Sequence, residues 1–295
     1  MTASPLRAIA RWLDTGAVAT APTEAAAANR VDWLRILPFV ALHLMCLGVL
    51  WVGAPRDAVI VAAALYAVRM FAITGFYHRY FSHRTFRASR AAQFAFALLG
   101  ASATQRGPLW WAAHHRKHHR HADTELDVHS PRQHGFWWSH MGWITSAANF
   151  PTDMKEVRDL ARYPELRWLD HFDILVPVAL ASTLFLVGGL PWLIWGYFVS
   201  TVVLFHATCL INSLAHQLGQ RRYETDDDSR NSLVLALITF GEGWHNNHHR
   251  YPGAVRQGFF WWEVDVTYYG LVMLRWLGVI RDLRPVPARV LQAAP

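Results

Sequence analysis

Charged residues are scarce in this sequence. Only 17% of its 295 residues are Asp, Glu, Lys or Arg, against about a quarter in soluble domains, and 53% are hydrophobic. This composition excludes an ordinary soluble domain. The 15 Trp residues exclude intrinsic disorder, which requires few aromatic side chains. We therefore expect a membrane protein.

Cysteine is nearly absent. Cys46 and Cys209 are the only two, and both lie in apolar segments, which excludes a disulfide framework and a Cys-x-x-Cys metal or redox motif. The stretch from Met1 to Ala28 lacks the apolar core of a secretory signal. The net charge of +7 comes from arginines beside apolar runs, a pattern typical of cytosolic anchoring at a membrane. We expect no nucleic-acid partner.

Four apolar windows are long enough to cross a bilayer, which requires about 20 residues. They cover residues 36–54, 58–76, 172–190 and 192–214. A short turn around Pro55 joins the first two windows, and Gly188, Gly189 and Pro191 join the last two. The windows are therefore predicted to form two helical hairpins.

Positive charge sets the expected orientation. The N-terminal segment, residues 77–171 and residues 215–295 are all rich in Arg and Lys, which places them in the cytosol. We predict an all-α integral membrane protein with four transmembrane helices in two hairpins. A cytosolic lead-in covers residues 1–35 and a membrane domain covers 36–295, with a cytosolic helical cap made of 77–171 and 215–295. Both termini are expected in the cytosol.

Histidine, in contrast, is abundant. Eight of the 17 His residues fall in three short motifs, which the predicted topology places on one side of the membrane. The motifs are His78-Arg-Tyr-Phe-Ser-His83, His115-Arg-Lys-His118-His119 and His245-Asn-Asn-His248-His249. Offsets of three and four in the last two motifs place three imidazoles on one helical face. The offset of five in the first motif suits a helix end where the chain leaves the bilayer.

These motifs indicate a site for two metal ions. Eight clustered imidazoles exceed the ligand number of a zinc site, and Mg²⁺ and Ca²⁺ prefer oxygen ligands. Soluble di-iron bundles hold their metals mainly with Glu and Glu-x-x-His ligands, not with clusters of histidine. Two redox metals in an all-nitrogen site are predicted, with iron favoured and copper open. The isolated residues His43, His134, His140, His171 and His206 are interpreted as core or surface side chains instead.

The order and spacing of the motifs resemble those of a known family. Together with Asn212-Ser-Leu-Ala-His216 and Gly241-Glu-Gly-Trp-His245, they are similar to the membrane fatty acyl-CoA desaturases of the stearoyl-CoA Δ9 type, in a bacterial form. The match extends from the first apolar window to residues 282–287. The resemblance implies oxygen-dependent desaturation of a saturated acyl-CoA at Δ9, in a bacterial inner membrane with the active site on the cytosolic side.

The resemblance also implies nine histidine ligands to two iron ions. One ion would be held by His78, His83, His115, His119 and His249. The other would be held by His118, His216, His245 and His248, with Asn212 reaching it through water. The offset of four between Asn212 and His216 is consistent with this, because it places both on one helical face. Candidates for hydrogen bonds to the ligands are Asp123, Asp127, His129 and Glu242.

Dioxygen would be the co-substrate, and a separate protein would have to supply electrons. The sequence contains no Gly-x-Gly-x-x-Gly nucleotide-binding turn and no His-Pro-Gly-Gly haem motif of a fused cytochrome b5 domain. A donor of the ferredoxin, rubredoxin or cytochrome b5 type with its reductase is expected.

Two departures from the animal enzymes concern the substrate. Their Arg-Asp pair before the second motif, which helps to hold CoA, is here Ala113 and His114, and a Trp before the Asn is here Cys209. A phospholipid-linked acyl chain is therefore an alternative substrate. Its phosphate would contact Lys155, Arg158 and Arg162.

The resemblance places the closed end of the acyl tunnel at Tyr66 and Met70. These residues precede His78 by 12 and 8 positions, and their spacing of four puts both on one helical face. Animal enzymes have a small residue where this chain has Met70. We therefore expect a shorter tunnel and a preference for palmitoyl over stearoyl chains.

Two other functions stay open at this point. Hydroxylation or ketolation uses the same histidine motifs and differs in the fate of the carbon radical. A non-enzymatic membrane metal-binding protein or haem protein is the more distant alternative. A metal carrier would place ligands at bilayer depth, whereas these motifs lie at or beyond the predicted helix ends.

Overall fold

The computed structural model describes residues 14–15 and 31–293, so the predicted lead-in of residues 1–35 lies almost entirely outside it. The described chain is mostly helical and has almost no sheet, as predicted. Its α-helices are α1 (Trp33–Met45), α2 (Val49–Val52), α3 (Arg56–Phe71), α4 (Arg90–Ala101), α5 (Pro108–His121), α6 (Pro131–His134), α7 (Arg158–Ala161), α8 (Pro164–His171), α9 (Leu175–Trp192), α10 (Ser200–Leu214), α11 (Leu233–Ile238), α12 (His245–Arg250), α13 (Val266–Trp276) and α14 (Ala288–Gln292).

Tighter and wider helical segments complete the fold. The π-helical segments are Ala72–Ser82, Trp138–Gly142 and Leu193–Val199, and the 3₁₀ helices are Cys46–Gly48, Trp143–Thr145 and Ala147–Asn149. Two short strands, β1 (Arg87–Ala88) and β2 (Ile280–Arg281), pair antiparallel. This pairing joins the end of the chain to the segment that follows the first histidine motif.

Two helical stretches are long and apolar enough to cross a bilayer. They are Arg56–Ser82, with 27 residues, and Leu175–Leu214, with 40. The first contains the predicted window 58–76, and the second contains both predicted windows 172–190 (in large part) and 192–214. Predicted window 36–54 corresponds to the shorter apolar helix Ile36–Val52. Two described helices therefore meet the length criterion, where the sequence predicted four.

The 40-residue stretch turns back on itself. Gly189 has φ 63° and ψ −158°, a non-helical conformation that glycine adopts without steric cost. A Cβ atom added to Gly196 would lie 3.4 Å from the Leu184 side chain. Residues 12 positions apart on a straight helix would be separated by about 18 Å. The stretch is therefore an antiparallel hairpin with its turn at Gly189.

Aromatic packing positions the first histidine motif. The Phe76 and Phe96 rings stack with centroids 3.9 Å apart, and Tyr77 is fully buried against α4. A Cβ atom at Gly100 would lie 2.0 Å from the Tyr77 ring, so only glycine allows this approach. The contact fixes the rotation of the helix one residue before His78.

Arg69 is a buried cation in the middle of the stretch Arg56–Ser82. Only 1% of the residue is exposed, and its guanidinium donates to the Thr201 hydroxyl (2.7 Å), the Ser102 carbonyl (3.3 Å) and the Ser200 hydroxyl. None of the partners seen in the described part of the chain is a carboxylate. A buried charge is costly unless it is hydrogen-bonded, and these bonds satisfy the guanidinium while linking α3 to α10 and to the residue after α4.

Asp170 holds the start of α5, the helix of the second motif. Its Oδ1 atom accepts the backbone N–H groups of Leu109 and Trp110, both at 2.9 Å, and Oδ2 accepts the Thr152 hydroxyl at 2.7 Å. These are N–H groups of the first helical turn, which have no partner inside the helix. A buried carboxylate therefore fixes the position from which α5 presents its histidines.

Candidate metal centre

The first motif lies at the end of a π-helix. An offset of five was expected at a helix end, and the helix does end at Ser82, one residue before His83. The π-helical winding of Ala72–Ser82 was not expected, and in it the His83 N–H donates to the His78 carbonyl at 3.2 Å. Hydrogen bonds between residues five apart define this helix, so His78 and His83 lie one turn apart on one face. Their ring centroids are 4.9 Å apart.

The motifs and His216 converge into two neighbouring groups of imidazoles. In each group the potential ligand atoms lie within 4.8 Å of one another, so each group could hold a metal ion. Site A consists of His78, His83, His115, His119 and His248. Site B consists of His118, His216, His245 and His249. The nine residues are the nine that the resemblance implied.

The division between the two sites differs from the expected one at His248 and His249. The sequence interpretation placed His249 with the ligands of site A and His248 with those of site B. The geometry places them the other way round. His245 and His249 are four residues apart on α12 and project within about 40° of each other, whereas His248 points about 60° to the other side. Accordingly, the His245 ring lies 4.4 Å from His249 and 6.0 Å from His248.

The second motif follows the same rule. His115 and His119 are four residues apart on α5 and both belong to site A, with ring centroids 4.6 Å apart. His118, three residues after His115, belongs to site B. In both motifs the pair at offset four shares a site and the third histidine joins the other one.

The nitrogen atoms that face each other fit metal ions. The Nε2 atoms are 3.0 Å apart in His78 and His248, 3.0 Å apart in His216 and His245, and 2.8 Å apart in His83 and His115. When two imidazoles bind one metal ion with a nitrogen–metal–nitrogen angle of about 90° and bonds of about 2.0–2.1 Å, their nitrogen atoms lie about 2.9 Å apart.

Proton positions strengthen this fit. His216 and His249 donate through Nδ1 to carboxylates, so the Nε2 atom of each neutral ring carries a lone pair. His216 Nε2 faces another histidine nitrogen, and buried His249 Nε2 has no hydrogen-bond partner among the described residues. A cation between these atoms would satisfy both lone pairs.

Four carboxylates hold the ring orientations. Asp127 accepts from His118 Nδ1 at 2.9 Å, Asp123 from His216 Nδ1 at 2.7 Å, and Asp227 from His249 Nδ1 at 2.6 Å. Glu242 makes the equivalent contact with His78 Nδ1. Asp123, Asp127 and Glu242 were predicted from the sequence, and Asp227 was not. Such partners fix the tautomer of a ligand and orient its free nitrogen.

His129 lies beside site B without a carboxylate hydrogen bond of good length. Its ring stacks on His118, with centroids 4.5 Å apart, and on Trp143, at 4.8 Å. Its Nδ1 atom is 3.5 Å from Asp127 Oδ1. Burial lowers the pKa of His129 to about 3, so the ring is neutral. We interpret His129 as a packing residue that restricts the orientation of the His118 ring.

The electrostatics favour ionised carboxylates and neutral rings at His83, His115 and His245, whereas they favour protonation of His118. Burial lowers the pKa of His83, His115 and His245 well below the ordinary value. Burial alone would raise the pKa of Asp123, but the hydrogen bond and charge of His216, together with the bonds from Ser130 and the Asp228 N–H, lower that pKa to about 2. Burial also disfavours charge on His118, yet the adjacent Asp127 carboxylate raises the His118 pKa. Unprotonated imidazoles beside charged carboxylates are the states that bind metal ions.

Hydrogen bonds between Asn231 and the two asparagines of the third motif hold α12 in place. Asn231 Oδ1 accepts the backbone N–H groups of Asn246 and Asn247, at 3.0 and 3.1 Å. The Asn247 side chain in turn donates to Glu263 at 2.9 Å. A six-residue helix has little stability of its own, so these buried bonds position His245, His248 and His249.

Two adjacent cavities reach the metal sites. The larger, of about 270 Å³, extends from Phe39 and Pro177 to Trp111 and Asn212. The smaller, of about 50 Å³, is lined by Ile73 and Thr74 together with side chains of both sites. Both cavities share Trp111, His115, Thr208 and Asn212. An apolar chain entering the larger cavity would therefore pass directly beside the histidines.

Asn212, the predicted water-mediated ligand, lies between the cavities and site B. Its side chain lines the smaller cavity beside His118 and His245. Its backbone carbonyl accepts the Ser139 hydroxyl at 3.1 Å. On the same helix, the Thr208 hydroxyl accepts from the Gln105 amide at 2.7 Å and closes the wall of the larger cavity. The sequence had not singled out Gln105 or Thr208.

The predicted tunnel-end residues lie farther along the same helix. Met70 is fully buried one turn before Thr74, whose hydroxyl donates to the Met70 carbonyl at 3.0 Å. The Tyr66 hydroxyl donates to the Ile238 carbonyl at 2.5 Å. Neither side chain lines the two cavities described above.

The predicted phosphate contacts lie on the surface. Lys155, Arg158 and Arg162 are exposed and line neither cavity, and Arg162 donates to the Tyr163 hydroxyl at 2.9 Å.

Three of the isolated histidines form a hydrogen-bonded chain away from the metal sites. His43 and His140 hydrogen-bond to the two ring nitrogens of His206, at 3.0 and 2.9 Å. None of these three belongs to a metal-binding group among the described residues.

The fold and site together define a helical protein with two adjacent histidine-rich metal sites at the end of long apolar helices. Residues 56–265 match the family model of the fatty acid desaturases. The chain belongs to the fatty acid desaturase family. It is thus an oxidoreductase of lipid metabolism that desaturates fatty acyl chains.

Named relatives are similar over most of the chain. An sn-2 palmitoyl-lipid 9-desaturase of Nostoc sp. is 36% identical over 263 residues, which cover 88% of this chain and 92% of that protein. An sn-1 stearoyl-lipid 9-desaturase of Synechocystis sp. is 40% identical over 261 residues, covering 86% and 81%. An acyl-CoA 5-desaturase of Anemone leveillei is 36% identical over 266 residues, covering 89% and 82%.

Proposed function

We propose that this chain introduces a Δ9 double bond into a saturated fatty acyl chain at a di-iron centre formed by sites A and B. The observation that carries the proposal is the convergence of nine imidazoles beside a cavity, with facing Nε2 atoms about 3 Å apart. In this reaction a –CH₂–CH₂– unit loses two hydrogen atoms. Two electrons and two protons complete the reduction of one dioxygen to two waters.

The metal centre is needed because a methylene in the middle of a chain has no acidic proton. Bound iron would supply the activation of dioxygen that removes such hydrogens. The protein's own residues position and enclose the substrate. Trp111 and Asn212 line both cavities next to the imidazoles, and apolar residues line much of the rest of the larger one. Because the chain carries no functional group near its middle, the distance from the bound head group to the metals selects the bond.

We further propose that the substrate is a chain esterified to a glycerolipid, with acyl-CoA as the second candidate. The sequence had favoured acyl-CoA. Ala113 and His114, at the positions of the CoA-binding pair, present no cation to the surface. Ala113 is buried, and the His114 ring packs 4.5 Å from Trp110 with its pKa lowered to about 3 by burial. Two of the relatives named above are 9-desaturases of acyl lipids, which supports this choice.

A direct assay separates the two substrates. Detergent-solubilised protein with a suitable electron donor would receive labelled palmitoyl-CoA or labelled dipalmitoyl phospholipid in separate reactions. We expect the double bond to form in the phospholipid while palmitoyl-CoA stays saturated. Conversion of palmitoyl-CoA without conversion of the phospholipid would assign the substrate to the acyl-CoA class. His118→Ala protein serves as the blank in both reactions.

We also propose four membrane crossings, with both termini and both metal sites in the cytosol. The hairpin at Gly189 supports this, because 40 helical residues span about 60 Å, twice the thickness of a hydrocarbon core. Large apolar side chains face outward near the turn, where Leu186 is 81% and Val187 68% exposed. Positive charge in the cap supports the cytosolic orientation.

Reporter fusions test this topology. An alkaline phosphatase fused after Pro295 should be inactive in bacteria, whereas one fused after Gly189 should be active because three crossings precede it. A green fluorescent reporter should give the opposite pattern. Phosphatase activity after Pro295 would contradict the four-crossing arrangement. In the proposed arrangement the protein lies in a bacterial inner membrane. Its cytosolic sites receive electrons from a separate donor of the ferredoxin, rubredoxin or cytochrome b5 type.

A further inference from the structure

The two metal sites differ in the charges that surround them. Three of the four histidines of site B donate through Nδ1 to a carboxylate, namely those bonded to Asp123, Asp127 and Asp227. Among the described residues, the five histidines of site A have one such partner, Glu242. In the part of the chain that the structure describes, His248 of site A and His245 of site B both lack a partner at Nδ1.

The compensation of these carboxylates differs as well. Glu242 is paired with Arg79, whose Nη2 atom lies 3.1 Å from Oε1 and which also pairs with Asp265, so a guanidinium offsets part of the Glu242 charge. The site B carboxylates have neutral donors besides histidine. Asp123 accepts from the Ser130 hydroxyl at 2.6 Å, and Asp227 accepts from the Thr225 hydroxyl at 3.0 Å. Among the described residues, neither is paired with an arginine or lysine.

A carboxylate on Nδ1 makes the opposite nitrogen a stronger donor to a metal. It pulls on the Nδ1 proton, raises the basicity of the ring and fixes the tautomer that leaves Nε2 free. Removing one such partner costs about 10–100-fold in metal affinity. A fixed negative charge close to the ion also attracts it directly, more strongly in a buried site than in water.

We infer that sites A and B bind metal with unequal affinity, and that site B fills first and holds its ion more tightly. The inference rests on the proposed di-metal function and concerns how this chain's residues divide the work of holding two ions. Site B has fewer histidines, so a count of ligands alone would predict the opposite order. The carboxylate partners decide the order because they act on three of its four rings.

Metal titration of the purified full-length protein tests the inference. Protein stripped with a chelator would be titrated with Co²⁺, followed by visible absorption and by calorimetry, and then with Fe²⁺ under anaerobic conditions. We expect two steps of about one ion each, with dissociation constants at least about tenfold apart. A single step of about two ions would overturn the inference and leave the di-metal centre intact. Failure to bind more than one ion would instead contradict the proposed function.

Variants identify which site fills first. Asp227→Asn, which keeps the size and a hydrogen-bond acceptor, should weaken the tight step about 10–100-fold and leave the weak step unchanged. Glu242→Gln should weaken only the second step. His83→Ala, which removes a ligand of site A, should abolish the weak step and retain the tight one. If Asp227→Asn weakens the second step instead, or His83→Ala abolishes the first, the order is the reverse of the one inferred.

Discussion

Replacing His118 with alanine is expected to lower desaturation at least about 100-fold and to remove about one metal ion per chain. The expectation follows from its position, since the residue is only 5% exposed and its ring lies 5.3 Å from His216 and 5.2 Å from His249. Even loss of a partner outside the ligand set costs about 10–100-fold in affinity or activity, and loss of a ligand should cost more. Product formation and metal content per chain would be measured on the same preparation.

His121→Ala is the matched control for this variant. His121 ends the same helix, three residues later, and belongs to no metal-binding group among the described residues. The control should keep the metal content and activity of the parent, and both variants should insert into the membrane equally. Parental activity with parental iron content in His118→Ala would remove the residue from the site. Full activity of parent protein that contains zinc alone would exclude the di-iron reading.

The second large effect concerns chain length. Met70→Ala should shift the preference from palmitoyl toward stearoyl chains, with the ratio of C18 to C16 products rising about tenfold. Two additional methylenes of buried chain are worth about 1.6 kcal/mol, at about 0.8 kcal/mol each, which corresponds to such a factor. The side chain is fully buried one turn beyond Thr74 of the smaller cavity, so its removal would lengthen the cavity in that direction.

The ratio of products is the readout here, because Met→Ala in a core also destabilises a fold by about 2–5 kcal/mol and would reduce total product. Val68→Ala provides the comparison, since Val68 lies on the same helix and is 51% exposed. This control should leave the ratio unchanged. If Met70→Ala keeps the parental ratio of C16 to C18 products at equal expression, Met70 does not end the tunnel.

The sequence predicted which histidines come together better than how they divide. The three motifs indicated eight of the nine residues, and the family resemblance implied the ninth, His216. The division at His248 and His249 depends on the rotation of α12, which the buried bonds from Asn231 set, and short sequence offsets do not reveal that rotation. The π-helix at Ala72–Ser82 was missed for a similar reason, although an offset of five between two histidines is its spacing.

The carboxylates that hydrogen-bond to the histidines from loops distant in sequence were the hardest to predict. Asp127 follows His118 by nine residues and was identified by that proximity. Asp227 lies 22 residues before His249, in a loop between α10 and α11 with three consecutive aspartates, which reads as solvated surface. The apolar windows coincide with apolar helices, but the third and fourth windows lie in one helical stretch that contains a sharp turn at Gly189.

The most direct test of the central claim is to express the chain in a host that lacks its own desaturase. Total fatty acids would be derivatised at their double bonds and analysed by mass spectrometry, beside cells that express His118→Ala. We predict monounsaturated chains with the double bond between carbons 9 and 10, absent from the variant. Hydroxylated chains in place of unsaturated ones, or a double bond at another position, would contradict the account.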